Sequence, residues 1–303
     1  MEYVKIKDVN ISRFTLGTVQ LGINYGMANT TGKPSTAQAH EILATAREVG
    51  VTALDTAAAY GTSEEVVGSY LQANGHPMLA ISKFKLKTDD FVTELKGQIA
   101  NSRRLLGKVD GYLFHDADQM RRCHRQVRPI LEEMKQSGGT AFIGASVYTV
   151  QDVEDFLEQC PWLDAIQIPM SVLDTRIVQR GLLEELNKRG VAVFVRSVFL
   201  QGMLCMERAP EKFSFMQPSL DAMRQVAEAG GMTLPQMAVA YIRDLPGVTS
   251  LVLGCETPRQ VRDNAKLINA RPLTQRELDA VTQISRDAPI EHCMDVILGK
   301  AAR

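Results

Sequence analysis

The sequence lacks the features that mark several large classes of protein. No stretch approaches the roughly 18 uncharged apolar residues that a transmembrane helix needs. The first residues, MEYVKIKDVN, contain no apolar core and no small-residue cleavage site, so we do not expect a secretory signal. Because 34 basic residues nearly balance 35 acidic ones, the net charge is only −1 and does not favour binding to nucleic acid or to an anionic membrane.

Cysteine is scarce and widely spaced. The chain contains no CxxC pair and no spacing typical of zinc ligands among its five cysteines, which are Cys123, Cys160, Cys205, Cys255 and Cys293. Separated thiols in odd number indicate a protein that is kept reduced. We therefore expect a cytoplasmic protein with free thiols and with neither a nucleic acid nor a membrane as partner.

Apolar residues, in contrast, make up 45% of the 303 residues and recur in short runs. Each run precedes a stretch with helical periodicity. The runs occupy residues 15–19, 52–57, 79–84, 111–116, 141–147, 165–170, 191–198 and 250–255. Such runs are typical of parallel strands that are buried on both faces. Eight strand–helix units in about 250 residues favour an α/β fold of the (β/α)8 TIM-barrel type over an open sheet.

The helix ends carry capping residues. Ser35 or Thr36 is expected to cap a helix that ends at Gly50, and further helices are expected to end at Gly107 and Gly190.

The segments outside the repeated units predict additions to the barrel. YVKIKDVNISRF predicts an N-terminal β-hairpin that turns around DVN. Residues 199–218 show no periodicity, and TQRELDAVTQISRDA predicts an extra C-terminal helix. Because no Gly-, Ser- or Pro-rich linker interrupts the chain, we expect one domain over residues 1–303.

Polar side chains interrupt the apolar runs near their carboxyl ends, where a (β/α)8 barrel carries its chemistry. Asp55 lies near the end of the second run, Tyr60 follows it, Lys83 lies in the third run and His115 near the end of the fourth. A buried lysine needs a partner, so we expect it to pair with Asp55. A cation beside Tyr60 would lower the pKa of the phenol and make it a general acid near neutral pH. His115 could orient a substrate oxygen.

Each of these residues alone has a simpler structural explanation. An Asp–Lys pair can close a barrel, and a Tyr-Gly dipeptide can form a turn. Their joint position at the carboxyl ends of three adjacent strands favours a catalytic site.

The segments DTAAAYG, SKF, YLFHDAD and IGAS, in this order, resemble the signatures of the aldo-keto reductase superfamily, and the likeness covers essentially the whole chain. The resemblance implies a catalytic tetrad of Asp55, Tyr60, Lys83 and His115 that works without a metal. In that family the tyrosine donates a proton to a carbonyl while a reduced nicotinamide supplies a hydride. The lysine and the aspartate tune the tyrosine, and the histidine orients the carbonyl.

The same resemblance implies an NADP(H) or NAD(H) site without the GxGxxG fingerprint, which this chain lacks. Ser146 and Gln167 would hold the nicotinamide carboxamide. Arg196 stands where many members carry an aromatic residue that stacks on the nicotinamide ring. Its guanidinium could stack there, enter the substrate pocket or pair with a loop acid.

The resemblance also implies that Glu256 lies near the ribose, where a carboxylate repels the 2′-phosphate of NADPH and favours NAD(H). The family's general preference for NADP(H), together with Arg259 and Arg262 nearby, argues in the other direction. Thr257 and Pro258 should open a helix whose amino terminus suits a phosphate. The same resemblance implies that Gly254 and Cys255 line the ribose and that Gln260 and Asn264 contact the adenine. Further cofactor contacts are expected at Asp55 and at Gly17, Thr18, Ser197, Leu200 and Gly202.

The substrate is predicted to contact Tyr25, Tyr60 and His115. The long first loop, LGTVQLGINYGMANTTGKPS, resembles bacterial members that act on sugars, which points to a polyol or sugar-like carbonyl. The basic run RRCHRQVR at 121–128 is either a solvated helix face or an anion-attracting rim of the site.

These features together predict an enzyme that interconverts a small carbonyl compound and an alcohol with NAD(P)(H), as a monomer or small homo-oligomer. Two other classes remain open. One is a cofactor-binding regulatory or scaffold protein with a vestigial site. The other is an epimerase or dehydratase that retains its nicotinamide.

Overall fold

Parallel strands that close into a barrel form the centre of the molecule. The computed structural model describes residues 1–26, 29 and 32–299. Its strands are β1 (Tyr3–Ile6), β2 (Val9–Ser12), β3 (Phe14–Gly17), β4 (Ala53–Asp55), β5 (Leu79–Phe84), β6 (Gly111–Phe114), β7 (Phe142–Ser146), β8 (Ala165–Pro169), β9 (Ala192–Arg196) and β10 (Val248–Gly254). The barrel order is β10-β3-β4-β5-β6-β7-β8-β9, and every neighbouring pair is parallel. The predicted (β/α)8 barrel is therefore confirmed, and each predicted run overlaps one of its strands.

Helices surround the barrel and cover its outer face. They are α1 (Val19–Gly22), α2 (Thr36–Glu48), α3 (Ser63–Ala73), α4 (Phe91–Leu106), α5 (Ala117–Gln136), α6 (Val150–Gln159), α7 (Arg176–Gln179), α8 (Leu182–Lys188), α9 (Gln217–Ala229), α10 (Leu234–Asp244), α11 (Pro258–Ile268), α12 (Gln275–Asp287) and α13 (Ile290–Ile297). The stretch predicted to lack periodicity contains two 3₁₀ helices, Leu200–Cys205 and Glu211–Met216. None of the helices in the described ranges is long and apolar enough to cross a bilayer.

The predicted helix ends agree with the structure. Ser35 rather than Thr36 caps α2, because its hydroxyl accepts from the Gln38 N–H while the Gln38 side chain bonds back to the Ser35 N–H. Gly107 follows α4 with φ +78°, and its N–H donates to the Arg103 carbonyl at 2.8 Å. The predicted C-terminal helix is α12, which Thr274 caps in the same reciprocal way.

The N-terminal hairpin closes the barrel at the amino ends of its strands. The hairpin is confirmed, but its turn is Lys7-Asp8 rather than DVN, because Ile6 pairs with Val9. Ile6 and Ile11 pack into the barrel interior against residues such as Phe142 and Phe194. This end of the barrel is therefore filled by side chains, which leaves the carboxyl ends of the strands for a site.

Part of the predicted first loop cannot be compared with the structure. Its residues Met27, Ala28, Thr30 and Thr31 lie outside the described residues, as do residues 300–303. The five cysteines lie within the described ranges and are free; all but Cys205 are buried.

Candidate active site

A buried ion pair lies inside the carboxyl end of the barrel, as predicted. Lys83 on β5 is 1% exposed, and its Nζ donates to Asp55 Oδ1 at 2.7 Å and Oδ2 at 2.8 Å. The same ammonium donates to the Thr56 carbonyl at 2.9 Å. Burial by itself lowers the pKa of Lys83, but the charge of Asp55 and the hydroxyl of Tyr60 raise it above its ordinary value. Lys83 therefore stays charged at neutral pH.

Tyr60 is placed over this pair by a tight turn between β4 and α3. Its N–H donates to the Ala57 carbonyl, and its carbonyl accepts from the Ser63 N–H, both at 3.0 Å. Gly22 packs directly on this turn, and a Cβ there would lie 1.8 Å from the Tyr60 carbonyl oxygen. The turn holds Tyr60 Oη 3.4 Å from Lys83 Nζ.

The pKa of Tyr60 differs from the prediction. Burial raises the pKa of this phenol above its ordinary value, and the opposing charge of Lys83 does not reverse the shift. The predicted lowering was therefore wrong in direction, because it considered the cation and not the desolvation. Tyr60 carries its proton at neutral pH.

His115 faces Tyr60 from the end of β6. The two rings meet edge to face, with centroids 5.6 Å apart and planes at 85°. Burial and the charges of Lys83, Lys85 and Arg196 lower the pKa of His115 to about 3, so the imidazole is neutral. Its Nδ1 is buried and has no hydrogen-bond partner among the described residues. A neutral imidazole at this point can bond to a ligand oxygen.

Gln167 connects the acid–lysine pair to the next strands. Its Nε2 donates to Asp55 Oδ1 at 2.8 Å, and its Oε1 accepts from the Ser146 hydroxyl at 3.3 Å. The two residues predicted to hold a carboxamide are thus adjacent. The direct bond between Gln167 and Asp55 was not predicted.

A cavity of about 420 Å³ opens above these residues. Most of the residues predicted to bind cofactor or substrate line it: Gly17, Thr18, Tyr25, Asp55, Tyr60, His115, Ser146, Gln167, Arg196, Ser197, Gly202, Gly254, Glu256, Gln260 and Asn264. Gln20 of the first loop, which was expected above the barrel mouth, also lines it. Residues that were not predicted as contacts line it as well, among them Tyr148, Phe199, Gln201 and Cys205.

Three predicted site residues do not line this cavity. Lys83 lies beneath it, bonded to Asp55. Leu200 lines a neighbouring cavity of about 240 Å³ instead. Cys255 is buried away from the cavity, where its thiol accepts from Asn264 Nδ2 at 3.2 Å and burial raises its pKa to about 12.

Cys255 and Val147 follow directly after the last residues of β10 and β7, and both are buried. The residues next to them, Glu256 and Tyr148, line the cavity. Because residues just past a strand end surround the mouth of a (β/α)8 barrel, Tyr148 could have been found from its place two residues after Ser146.

The loop after β9 curves over the cavity with an unusual backbone. Ser197, Leu200 and Gln201 have φ values of +60°, +47° and +56°, and Gly202 follows with +96°. Left-handed conformations are costly for residues other than glycine and gather at functional sites. Gly202 supplies a positive φ in this loop, and the close approach of its backbone to a pyrophosphate stays a prediction.

Two orphaned polar atoms test whether the cavity suits a polar ligand. Gln20 Oε1 and His115 Nδ1 are both buried, and neither has a partner among the residues that the structure describes. Gln20 packs on Gly254 so closely that a Cβ there would lie 2.3 Å from its Nε2. These atoms fit a ligand that brings its own hydrogen-bonding groups, as a dinucleotide does.

The adenosine end of the predicted site has the expected local structure. α11 begins at Pro258, and the Thr257 hydroxyl accepts from the Gln260 N–H at 3.2 Å. Glu256 precedes this cap and lines the cavity. Arg259 and Arg262 do not line it; they pair with Asp263 and Glu48 on the surface.

The basic run of α5 does not form a rim of the site. Arg121 bonds to Asp152 and Asp155 of α6 at 2.8 and 2.9 Å. Arg128 bonds to Glu132 at 2.9 Å. No residue of 121–128 is among those that line the two cavities, so the structure favours an outer helix face.

Comparisons with known proteins agree with the fold. The pattern of the aldo/keto reductase family matches residues 13–286. The chain is 25% identical to the uncharacterized oxidoreductase YqkF of Bacillus subtilis over 300 residues, which cover 90% of this chain and 92% of the relative. It is 24% identical to the NADH-specific methylglyoxal reductase of Escherichia coli over 302 residues, which cover 86% of this chain and 91% of the relative.

A solved structure shows the same fold. The holo form of the aldo-keto reductase AKR11C1 from Bacillus halodurans superposes with a TM-score of 0.79 at 21% identity, covering 94% of this chain and 96% of that one. The matched sequence pattern spans well over half of the chain. The chain therefore belongs to the aldo/keto reductase family.

Proposed function

We propose that this protein is an NAD(P)(H)-dependent oxidoreductase that interconverts a small carbonyl compound and an alcohol. The observation that supports it most is the Asp55–Lys83–Tyr60 chain of contacts, which presents the phenol beside the neutral His115 at the cavity floor. To test this, the purified protein is incubated with NADH, NADPH or their oxidised forms and with short aldehydes, hydroxyaldehydes or polyols. The absorbance of the nicotinamide is followed over time. Turnover supports the proposal; no turnover with any of them contradicts it.

The positions of these residues suggest a separate role for each of them in the reaction. Ser146 and Gln167 would hold a nicotinamide, which in its reduced form would supply the hydride that the carbonyl carbon takes up. Tyr60 would transfer its phenolic proton to the carbonyl oxygen, which completes the alcohol. Lys83 would stabilise the phenolate that Tyr60 becomes after it loses the proton. His115 would donate a hydrogen bond to the carbonyl oxygen and orient it. Asp55 keeps Lys83 charged and in place.

The pKa values lead to a pH prediction. His115, with a pKa of about 3, stays neutral above mildly acidic pH, and Tyr60, with its pKa above the ordinary value, stays protonated well beyond neutrality. Carbonyl reduction needs both of these forms. We expect kcat/KM for reduction to change by less than about threefold from about pH 5.5 to about pH 9, whereas alcohol oxidation, which needs the phenolate, rises with pH. A bell-shaped reduction profile centred near neutrality would contradict these assignments.

For the cofactor, the geometry favours NAD(H). Glu256 lines the cavity, while the two arginines that could bind a 2′-phosphate are paired elsewhere. A carboxylate repels that phosphate and accepts bonds from ribose hydroxyls. The relative from Escherichia coli that is described as NADH-specific supports the same choice.

The preference has a direct test. Glu256→Gln removes the charge and keeps the shape, so the ratio of the Kd values for NADPH and NADH should fall by about tenfold. Glu228→Gln, an exposed acid on α9 away from both cavities, is the matched control and should leave the ratio unchanged. Fluorescence titration measures both constants. An unchanged ratio in Glu256→Gln would place the ribose elsewhere.

A further inference from the structure

Four residues with a formal charge line the two cavities, and two of them are neutralised by a partner. Asp55 pairs with Lys83, and Asp174 accepts from Arg176 Nε at 2.8 Å and Nη2 at 2.9 Å. The other charged residues in the two linings are Glu256 and Arg196. Within the described ranges, Arg196 forms no ion pair, in contrast to the predicted possibility of a loop acid. A partly buried guanidinium without a counter-charge is suited to a ligand that brings one.

Arg196 is nevertheless held in a defined position. Its Nη2 donates to the Val147 carbonyl at 2.9 Å, and its guanidinium carbon lies 4.0 Å from the centre of the Tyr148 ring. That single hydrogen bond is the guanidinium's only one to any residue in the described part of the chain. The remaining N–H groups are therefore available, and the geometry is set before any ligand binds.

The position of Arg196 is at the junction of the two cavities. It lines both of them, together with Tyr25, Tyr148, Ser197 and Gln201. The smaller cavity continues beneath α13, where Met294, Ile297 and Leu298 form an apolar wall. The charge of Arg196 also lowers the pKa values of Tyr60 and His115, so the guanidinium lies near the reacting groups.

We infer that Arg196 determines substrate specificity by binding an anionic group, a carboxylate or a phosphate, of the carbonyl substrate. In this arrangement the substrate carbonyl contacts Tyr60 and His115, and the anionic group binds Arg196. The rest of the substrate extends into the smaller cavity. This inference rests on the proposed function for the reaction itself. It assigns to Arg196 a role in recognising the substrate instead of stacking on the nicotinamide.

Matched substrate pairs test the inference. Glyceraldehyde 3-phosphate and glyceraldehyde share a carbonyl and differ by a phosphate, and 4-oxobutanoate and butanal differ by a carboxylate. We expect the wild type to prefer the anionic member of at least one pair by about 10- to 100-fold in kcat/KM. A preference in the first pair indicates that the site binds a phosphate, and a preference in the second pair indicates that it binds a carboxylate.

Variants assign the preference to Arg196. Arg196→Gln keeps a donor for the Val147 carbonyl but removes the charge, so the preference should fall to near unity. Arg196→Lys should restore part of it, since the charge returns without the planar fork. Arg180→Gln, an exposed arginine outside both cavities, is the control and should change nothing.

Two outcomes of these kinetic experiments would overturn the inference. One is a wild type that does not distinguish the members of either pair. The other is an Arg196→Gln protein whose Kd for NADH rises by tenfold or more with the preference intact, because Arg196 would then belong to the cofactor site.

A binding experiment separates this inference from the proposed function. Calorimetry compares glycerol 3-phosphate with glycerol, and 4-hydroxybutanoate with butanol, in the wild type and in Arg196→Gln. If no substrate is turned over but anion binding depends on Arg196, the proposed reaction fails and the anion site stands. If neutral aldehydes are reduced and no anion binds, the reaction stands and the anion site fails.

Discussion

Replacing Tyr60 by phenylalanine is expected to lower kcat for carbonyl reduction by about 10²- to 10⁴-fold, the range typical of a lost general acid. The substitution removes only the hydroxyl that lies 3.4 Å from Lys83 Nζ. The ring that packs edge to face on His115 remains. The Kd for the reduced cofactor should therefore stay within about threefold of the wild-type value, because the loss concerns the reaction and not binding.

Steady-state kinetics and a fluorescence titration measure the two effects. Tyr241→Phe on α10, which removes a hydroxyl from a buried tyrosine outside both cavities, is the matched control. Full activity in Tyr60→Phe would contradict the proposed role of the phenol. A scaffold protein would bind its partners equally well with either residue. An epimerase or dehydratase that retains its nicotinamide would be isolated with nucleotide bound, which absorbance of the purified protein reveals.

The second large effect is expected from Lys83→Met, which should lower the free energy of unfolding by about 3–5 kcal/mol, because it leaves a carboxylate buried without its counter-charge. Asp55 is 4% exposed and, among the residues that the structure describes, would keep only the bond from Gln167 Nε2 at 2.8 Å. Turnover should also fall sharply, since no cation remains to stabilise the Tyr60 phenolate. Urea denaturation and steady-state kinetics measure the two consequences.

The double variant Lys83→Met/Asp55→Asn separates stability from catalysis. With both charges removed, much of the lost stability should return, since a neutral pair avoids the desolvation cost. Activity should not return. If the single variant is as stable as the wild type, the buried pair has no structural role. If the double variant regains activity, Lys83 is not the residue that supports Tyr60.

Features that depend on local sequence were predictable from the chain. A lysine inside LAISKF needs a buried partner, and consecutive strands of a (β/α)8 barrel are neighbours, so the pair with Asp55 follows. Helix ends were predictable for a similar reason. The hydroxyls of Ser35 and Thr274 cap the helices that follow them, and Gly107 supplies the positive φ that ends α4.

Features that depend on packing between distant segments were not predictable. The bond from Gln167 to Asp55 joins residues 112 positions apart, and it exists only once the barrel is closed. The pKa of Tyr60 depends on how much water the folded cavity excludes, which no spacing reveals. Leu200 lines the smaller cavity, in a loop whose left-handed backbone angles no sequence pattern indicated. The segment IEHCMDVI showed no pattern that indicated that α13 would line that cavity.

The measurement that tests the central claim most directly is a titration of the nucleotide-free protein with NADH and with NADPH, followed by fluorescence. The orphaned Gln20 and His115 atoms, the curved loop after β9 and the capped start of α11 predict saturable binding in the cavity. Glu256 predicts that NADH binds more tightly than NADPH. Binding of neither nucleotide would contradict the assignment of this site to a nicotinamide-dependent oxidoreductase.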